Sequence, residues 1–326
     1  MKELKLLSSK NYKPHGPNYG DCILIDTGSQ LIVYDCGCEE HAERVEQYMS
    51  DHGYEKAIVV LSHNDADHFD GIPYLIENDL VSKVYAQLFL KHKDEILKLI
   101  EDKRVTNKSL SERIKNDYDN ISSLSGSVEL VDAIELQDIV PGVCIVGPDK
   151  SYCLKTIAKE LKNSEGNTID AETVINAASV QISVKLKDKK ALLCGDCSFE
   201  SIKDKLSDYK IIQLPHHGKP ETAEKIFAEK LGENDVIFLV SDNTGDSNGG
   251  STKLKSAGKQ VKKTLYGDVS YPGNSAYTVK VTRTLGRFEM GWFYSEIHSS
   301  MLFWKWTEST TGIFVFGIKH LFCSCW

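Results

Sequence analysis

The chain has 326 residues, 41% of them hydrophobic and 26% charged, with eight prolines and a formal net charge of −8. That balance suits two average globular domains or one large α/β domain of two similar halves, and excludes disordered or collagen-like chains. The acidic surplus argues against coating duplex DNA through general electrostatics, though not against an enzyme that grips nucleic acid through bound metal and a local basic patch. Apolar runs such as "AIVVL" and "VIFLV" are too short to span a bilayer. The start "MKELKLLSSKNYK" lacks the apolar core of a signal peptide, so a cytoplasmic protein is expected.

In chain order, "DCILIDTG" (21–28) and "QLIVYDCG" (30–37) read as two strands joined by a tight turn at Gly28-Ser29. "EEHAERVEQYMSDHG" (39–53) has helical spacing and ends on a glycine stop. "EKAIVVLS" (55–62) follows as a buried strand, then a helix and the strand "KVYAQL" (83–88). Residues 89–126 are charged and read as a helical insertion with a solvated basic face. Strands "SVELVD" (127–132) and "VCIVGP" (143–148) and the helix "KTIAKELKN" (155–163) come next. A second β-rich half holds "SVQISVKLKD" (179–188), "KALLCGD" (190–196), "KIIQLPHHG" (210–218) and "VIFLVSD" (236–242), with helices expected at 201–208 and 223–231. Both halves open with paired strands and then alternate strands with helices. That order predicts an α/β fold of two mixed sheets packed face to face with helices outside, rather than one doubly wound sheet.

One stretch demands a ligand. "LSHNDADHFDG" (61–71) leaves a buried strand and places His63, Asp65, Asp67 and His68 within six positions. A polar surface loop accounts for one or two such residues, while four together have the density of a metal site. In an extended segment alternate residues share a side, so His63, Asp65 and Asp67 would converge and His68 would turn toward a neighbouring position. Two other strand ends follow the same grammar: Asp196 after "ALLCG", and His216 with His217 after "IIQLP". Asp35, ending "LIVYD", fits the same rim and would orient the 63–68 loop from behind. Each of these alone has an ordinary reading, a turn aspartate or a satisfied histidine. The nine cysteines read mostly as buried, reduced hydrophobes, and "CGDC" (194–197) has redox or zinc-knuckle spacing without a second CxxC to support it.

The order "GDCILID…LIVYDCG…SHNDADHFDG…NAASVQISV…LLCGD…LPHHG" resembles the metallo-β-lactamase fold over roughly residues 18 to 245. It is similar above all to the soluble hydrolase-like domain of the ComEC family of DNA-uptake proteins. The resemblance implies an αββα core over 1–245, completed by 246–326, with metals at the shared edge of two sheets. It implies metal ligands at His63, Asp65, Asp67, His68, Asp196 and one or both of His216 and His217. Asn176 stands where many relatives place another histidine, and Ser179 matches the family's N-x-x-S. Asp65 replaces a histidine of the commoner form, so the donor set is poorer in nitrogen and tilts from zinc toward manganese.

A divalent ion, one or two, lowers the pKa of water it binds from about 15.7 toward about 7, which implies hydrolysis by metal-bound hydroxide. Asp67 or Asp196 would orient the nucleophile, and His216 or His217 would stabilise or protonate the leaving group. The resemblance favours a phosphodiesterase or nuclease, with nucleic acid or a nucleotide as substrate. A lactone or thioester hydrolase, or a weakly active metal-binding regulatory subunit, remain the alternatives. Lys219, Lys189 and Lys190 are candidate phosphate contacts, with solvated lysines the plainer reading. The aromatic tail 291–326, ending Cys323-Ser324-Cys325-Trp326, reads as a closing hairpin or a surface for a partner protein. Nothing in it calls for a membrane anchor.

Overall fold

The computed structural model describes residues 3–9, 12, 20–100, 102, 104–162, 168–169, 172–241, 251, 253–272, 293–295 and 300–302. The first half runs β1 (Glu3–Leu6), β2 (Cys22–Asp26), β3 (Leu31–Cys36), α1 (Glu39–His52), β4 (Ala57–Val60), α2 (Ala66–Phe69), α3 (Ile72–Glu77) and β5 (Val81–Ala86). Then follow α4 (Lys93–Leu99), α5 (Asn107–Asp117), α6 (Asp119–Ser123) and β6 (Glu129–Asp132). The second half begins β7 (Gln137–Val140), β8 (Val143–Gly147), α7 (Lys150–Lys162), β9 (Thr168–Ile169), β10 (Glu172–Thr173), α8 (Val174–Ala177), β11 (Gln181–Lys185) and β12 (Lys190–Leu193). It continues with β13 (Ile211–Gln213), α9 (Pro215–Gly218), α10 (Pro220–Glu229), β14 (Ile237–Val240), β15 (Gln260–Lys263) and β16 (Val269–Tyr271).

Two seven-stranded sheets result, ordered β16-β1-β2-β3-β4-β5-β6 and β15-β14-β13-β12-β11-β8-β7. Each is mixed in the same way. In the first, β1–β3 and β16 pair antiparallel while β3–β6 run parallel. In the second, β7, β8, β11 and β12 pair antiparallel while β12–β15 run parallel. The period of two along each strand sorts side chains between layers. Ile32 and Tyr34 join Ile58, Val60, Ile182, Leu193 and Ile211 between the sheets. Leu31 and Val33 face the other way, onto Ala42, Val45 and Met49 of α1. Leu192 and Cys194 likewise turn outward onto Ala223, Ile226 and Phe227 of α10. Truncating a residue such as the fully buried Ile32 to alanine would cost about 2–5 kcal/mol. This is the αββα sandwich expected from the sequence.

The helices after residue 89 keep the expected solvated basic face, with Lys91, Lys98, Lys108 and Lys115 exposed, and bury the other: Phe89, Ile96, Leu110 and Ile114 pack into the outer layer with Leu154 and Ile157 of α7. The helix expected at 201–208 is a pair of 3-10 turns, Phe199–Ser201 and Lys203–Asp208. Strand β1 escapes a sequence reading because its four residues alternate charge with leucine and draw their order from pairing on both sides. No helix among the described residues is long and apolar enough to cross a membrane. Gly273–Trp326 is a separate unit, in which Phe293–Ser295 (β17) and Ser300–Leu302 (β18) pair antiparallel. The remainder of the tail, including its terminal cysteines, lies outside the described residues.

Candidate metal centre

The two sheets meet where the parallel strands end. The Tyr34 hydroxyl donates to the Val180 carbonyl at 2.7 Å, and the Val180 N–H donates to the Ser62 carbonyl at 2.8 Å. Every candidate ligand hangs from this edge. The 61–71 loop leaves β4 but does not stay extended: Asp65 precedes the single helical turn α2. The turn separates what the extended reading would have merged. Asp65 stays 3.6 Å from His63 Nε2, while Asp67 joins His68 and His217. Close backbone packing sets the loop's depth. A Cβ on Gly37 would fall 2.0 Å from the Asp67 carbonyl oxygen, which itself accepts the Asp21 N–H at 2.9 Å.

Asp196 stands between two sets of donors. Its Oδ1 lies 3.4 Å from His68 Nε2. Its Oδ2 lies 4.0 Å from His63 Nε2, 3.8 Å from His216 Nε2 and 3.4 Å from Asn176 Nδ2. His217 Nε2 is 2.9 Å from Asp67 Oδ2, and His68 Nε2 is 4.0 Å from the same oxygen. His63, His68 and Asp196 form one group whose ligand atoms all lie within 4.8 Å, and Asp67, His68 and His217 form a second.

Each imidazole is aimed by what holds its other nitrogen. His68 Nδ1 donates to Asp35 Oδ2 at 2.8 Å, and Asp35 Oδ1 accepts the Ser62 N–H at 2.6 Å. His217 Nδ1 donates to the Ser241 carbonyl at 2.9 Å, with Asp21 Oδ1 at 3.4 Å. His63 Nδ1 meets the hydroxyls of Ser62 at 2.9 Å and Ser179 at 3.3 Å. Ser179 spends its own proton on the Asn176 carbonyl, so toward His63 it accepts. All three rings therefore turn Nε2 inward.

The inward atoms fit a cation. His63 Nε2, His68 Nε2 and Asp196 Oδ1 are buried and have no hydrogen-bond partner, a state that costs about 1–3 kcal/mol for each orphaned group. Three such atoms facing one another, two nitrogens and a carboxylate oxygen, form a divalent-metal donor set. The electrostatics agree. Burial pushes the Asp196 carboxyl up, but His68, His217 and His216 outweigh it and hold it well below the usual range. Burial likewise pushes Asp67 up and is outweighed by His68 and His217. Burial pushes His68 down, against a stronger pull upward from Asp196, Asp35 and Asp67. A metal bound by these groups would release the protons its ligands carry.

Asn176 does not offer its oxygen. The Thr173 hydroxyl donates to Asn176 Oδ1 at 2.5 Å, leaving the amide nitrogen toward Asp196. Lys219 lies against Glu172 Oε1 at 2.9 Å. Lys189 and Lys190 sit at the opposite end of β12 from Asp196, with Lys189 donating to the Asp235 carbonyl, so neither reaches this edge. Asp21, Gln213, Glu172 and Ser62 support the cage without having been singled out in the sequence. "GDCILID" displayed Asp21, but only the hydrogen bond of Gln213 to its Oδ2 and its nearness to His217 give it a role.

Comparison with known proteins places these observations. Over 95 residues the chain is 34% identical to an uncharacterized protein of Methanocaldococcus jannaschii, covering 28% of this chain. The chain spans about a third of that relative's length, 34%. Among solved structures it is similar to the metallo-beta-lactamase fold protein YhfI of Bacillus subtilis, at 11% identity and a TM-score of 0.47, covering 83% of this chain and 100% of that one. It is also similar to Igni18, a metallo hydrolase of Ignicoccus hospitalis, at 12% identity and a TM-score of 0.46, covering 82% and 98%. Zinc-bound PqqB of Methylobacterium extorquens aligns at 11% identity and a TM-score of 0.38, covering 69% and 76%. Residues 15–126 match the family model described as Metallo-beta-lactamase superfamily, and the two mixed sheets with their outer helices are the metallo-β-lactamase fold.

Proposed function

We propose that the protein is a metal-dependent hydrolase whose substrate is a phosphodiester, either a short single strand of nucleic acid or a nucleotide. The observation that supports it is Asp196, one buried carboxylate whose two oxygens face different imidazoles. A divalent ion held there supplies an acidified water and a positive charge for the anionic oxygens of the reacting group. His63, His68, Asp67, Asp196 and His217 would hold it. Asp67, kept anionic by its neighbours and 15% exposed at its side chain, would orient the attacking water. Asp35 and Asp21 keep the His68 and His217 rings turned inward throughout. The substrate class follows the ComEC-like pattern, in which Asp65 puts an oxygen donor where the commoner form has a histidine.

The placement of the lysines favours one second reading. Lys219 is engaged by Glu172, and Lys189 and Lys190 lie at the far end of the sheet, so a neutral ester such as a lactone or thioester would meet no obstacle. Turnover of bis-p-nitrophenyl phosphate and single-stranded DNA, against a lactone and a thioester, separates the two. Asp196→Asn should abolish whichever activity appears, by orders of magnitude, with the melting curve of a folded protein. Wild-type turnover in that variant would refute the role given to Asp196, and tight metal binding without any turnover would point to a regulatory subunit.

A further inference from the structure

Charge is unevenly spread along the chain. Against a net −8 overall, residues 251–267 carry Lys253, Lys255, Lys259, Lys262 and Lys263 and no acid. The run leads into β15, the edge strand of the second sheet, and into the 3-10 turn Thr264–Tyr266 that leaves it. Both of its ends meet the metal-bearing edge. At the start, a Cβ on Gly218 would fall 3.2 Å from Ser251, just after His217. Exposed Lys253 and Lys255 flank Leu254, whose N–H turns back onto the Ser251 carbonyl at 3.0 Å. At the other end, Lys263 donates to the Ser251 hydroxyl at 2.7 Å and pairs with Val240, whose neighbour Ser241 holds His217.

Residues 264–268 then cross from the second sheet to the first along the same edge. Val269 of β16 pairs with Leu6, and the adjoining Leu7 donates to the Cys22 carbonyl, beside Asp21. Tyr266 stands on this crossing with 77% of its surface exposed. The backbone beneath it is fixed. The Thr264 carbonyl accepts the Gly267 N–H at 3.0 Å and the Ser8 hydroxyl at 2.5 Å, and Asp268 accepts the Ser8 N–H at 3.0 Å. An aromatic ring held in water on an anchored turn offers a flat face for stacking.

We infer that this face, Lys253, Lys255, Lys262 and Lys263 with Tyr266, holds a single strand of nucleic acid beside the metal centre. This rests on the phosphodiester reading above. Phosphates lie on the ammonium groups and a base stacks on the tyrosine, a combination that accepts any base but requires it to be unstacked from its own strand. No ion pair engages Lys253, Lys255 or Lys262 among the described residues, so no carboxylate has to be displaced. Lysines on an edge strand also deter foreign strands, but that role requires no exposed ring on a braced turn. The phosphate contacts that Lys189 and Lys190 are too distant to make thus come from another strand of the same sheet.

Fluorescence anisotropy of the full chain with a fluorescein-labelled, phosphorothioate-linked oligothymidylate tests this without cleavage; about 12 nucleotides suits one such groove. Tyr266→Ala should weaken binding about fivefold or more while melting as wild type does, and Tyr266→Trp should restore it. Lys255→Gln with Lys262→Gln should flatten the slope of log affinity against log salt by about 1.4, at about 0.7 per phosphate contact. Lys189→Gln with Lys190→Gln, at the far end of the sheet, should change neither reading. Equal affinity and slope in all variants would overturn the inference. So would duplex bound as tightly as single strand with Tyr266→Ala neutral, or capture by phosphatidylglycerol vesicles in place of the oligonucleotide. Cleavage of bis-p-nitrophenyl phosphate without oligonucleotide binding would overturn the surface and leave the phosphodiester reading standing. The expected binding pattern with no phosphodiester cleaved would uphold the surface and overturn that reading.

Discussion

Changing Asp35 to asparagine alters one atom of the site and should be felt two bonds away. Asp35 has two buried contacts: Oδ1 accepts the Ser62 N–H at 2.6 Å and Oδ2 accepts His68 Nδ1–H at 2.8 Å. The Ser62 amide can only donate, so the asparagine must turn its oxygen there and its NH2 toward His68. The imidazole must then accept at Nδ1 and carry its proton on Nε2, the nitrogen that faces Asp196. Asparagine tolerates the positive φ of 59° at this position, so the backbone need not move. The lost charge-assisted bond is worth about 1.5–3 kcal/mol. Burial pushes the Asp35 carboxyl up despite His68 and the Ser62 amide, so a neutral side chain recovers part of that cost and the melting temperature should fall only modestly. Metal affinity carries the larger effect, a loss of about 10–100-fold. Chelator competition on the folded variant measures it. Affinity within twofold of wild type would refute the claim that Asp35 sets the tautomer of His68.

Gly37→Ala places a methyl group 2.0 Å from the Asp67 carbonyl oxygen. Either the loop or β3 must move, at a cost of about 1–3 kcal/mol or more, which thermal melting and metal content should both register. His41 is buried beside Tyr12 and held neutral, its pKa pushed by burial and by Arg44 from 6.5 down to about 3. Its stabilising share is whole above pH 6.5 and is lost as pH falls toward 3, since the unfolded chain takes up the proton first. By pH 5 the loss is about 2 kcal/mol, so His41→Leu should show a smaller drop in stability between pH 7 and pH 5 than wild type; equal drops would refute this. Manganese-loaded protein should cleave a phosphodiester at least as fast as zinc-loaded protein, because Asp65 adds a hard oxygen donor. Asp65→His should move that preference toward zinc, and an unchanged metal ratio would count against the assignment.

Much of the centre was legible because strand and ligand are adjacent in the chain. The endings "IVVLSHNDADH", "LLCGD" and "IIQLPHHG" carry their own signal, the last of them placing His217 one turn past β13. What stayed hidden depends on partners far away in sequence. Glu172 acquires meaning only through His216, 44 residues on, and Gln213 only through Asp21, 192 residues back. The helical turn at Ala66–Phe69 was missed for a different reason: alternating ligands suit an extended segment, but Phe69 and His68 are buried by curling inward, and that burial decides the backbone. In the helices after residue 89 the solvated basic face was legible, while the apolar stripe that packs them was obscured by the charged residues that outnumber it.

The last core strand closes the first sheet. Val269–Tyr271 pairs with Glu3–Leu6 at its edge, where Arg44 fastens neighbouring Asp268 at 2.6 Å. On a ribosome the two partners emerge roughly 260 residues apart, and at about 5–20 residues per second that interval is on the order of tens of seconds. Throughout it, the growing chain presents β1 as an unpaired edge, the kind of surface that recruits foreign strands. The nascent protein therefore reaches its guarded form only once Tyr271 has emerged, and its yield in a cell should depend on translation speed and on chaperones that shield that edge.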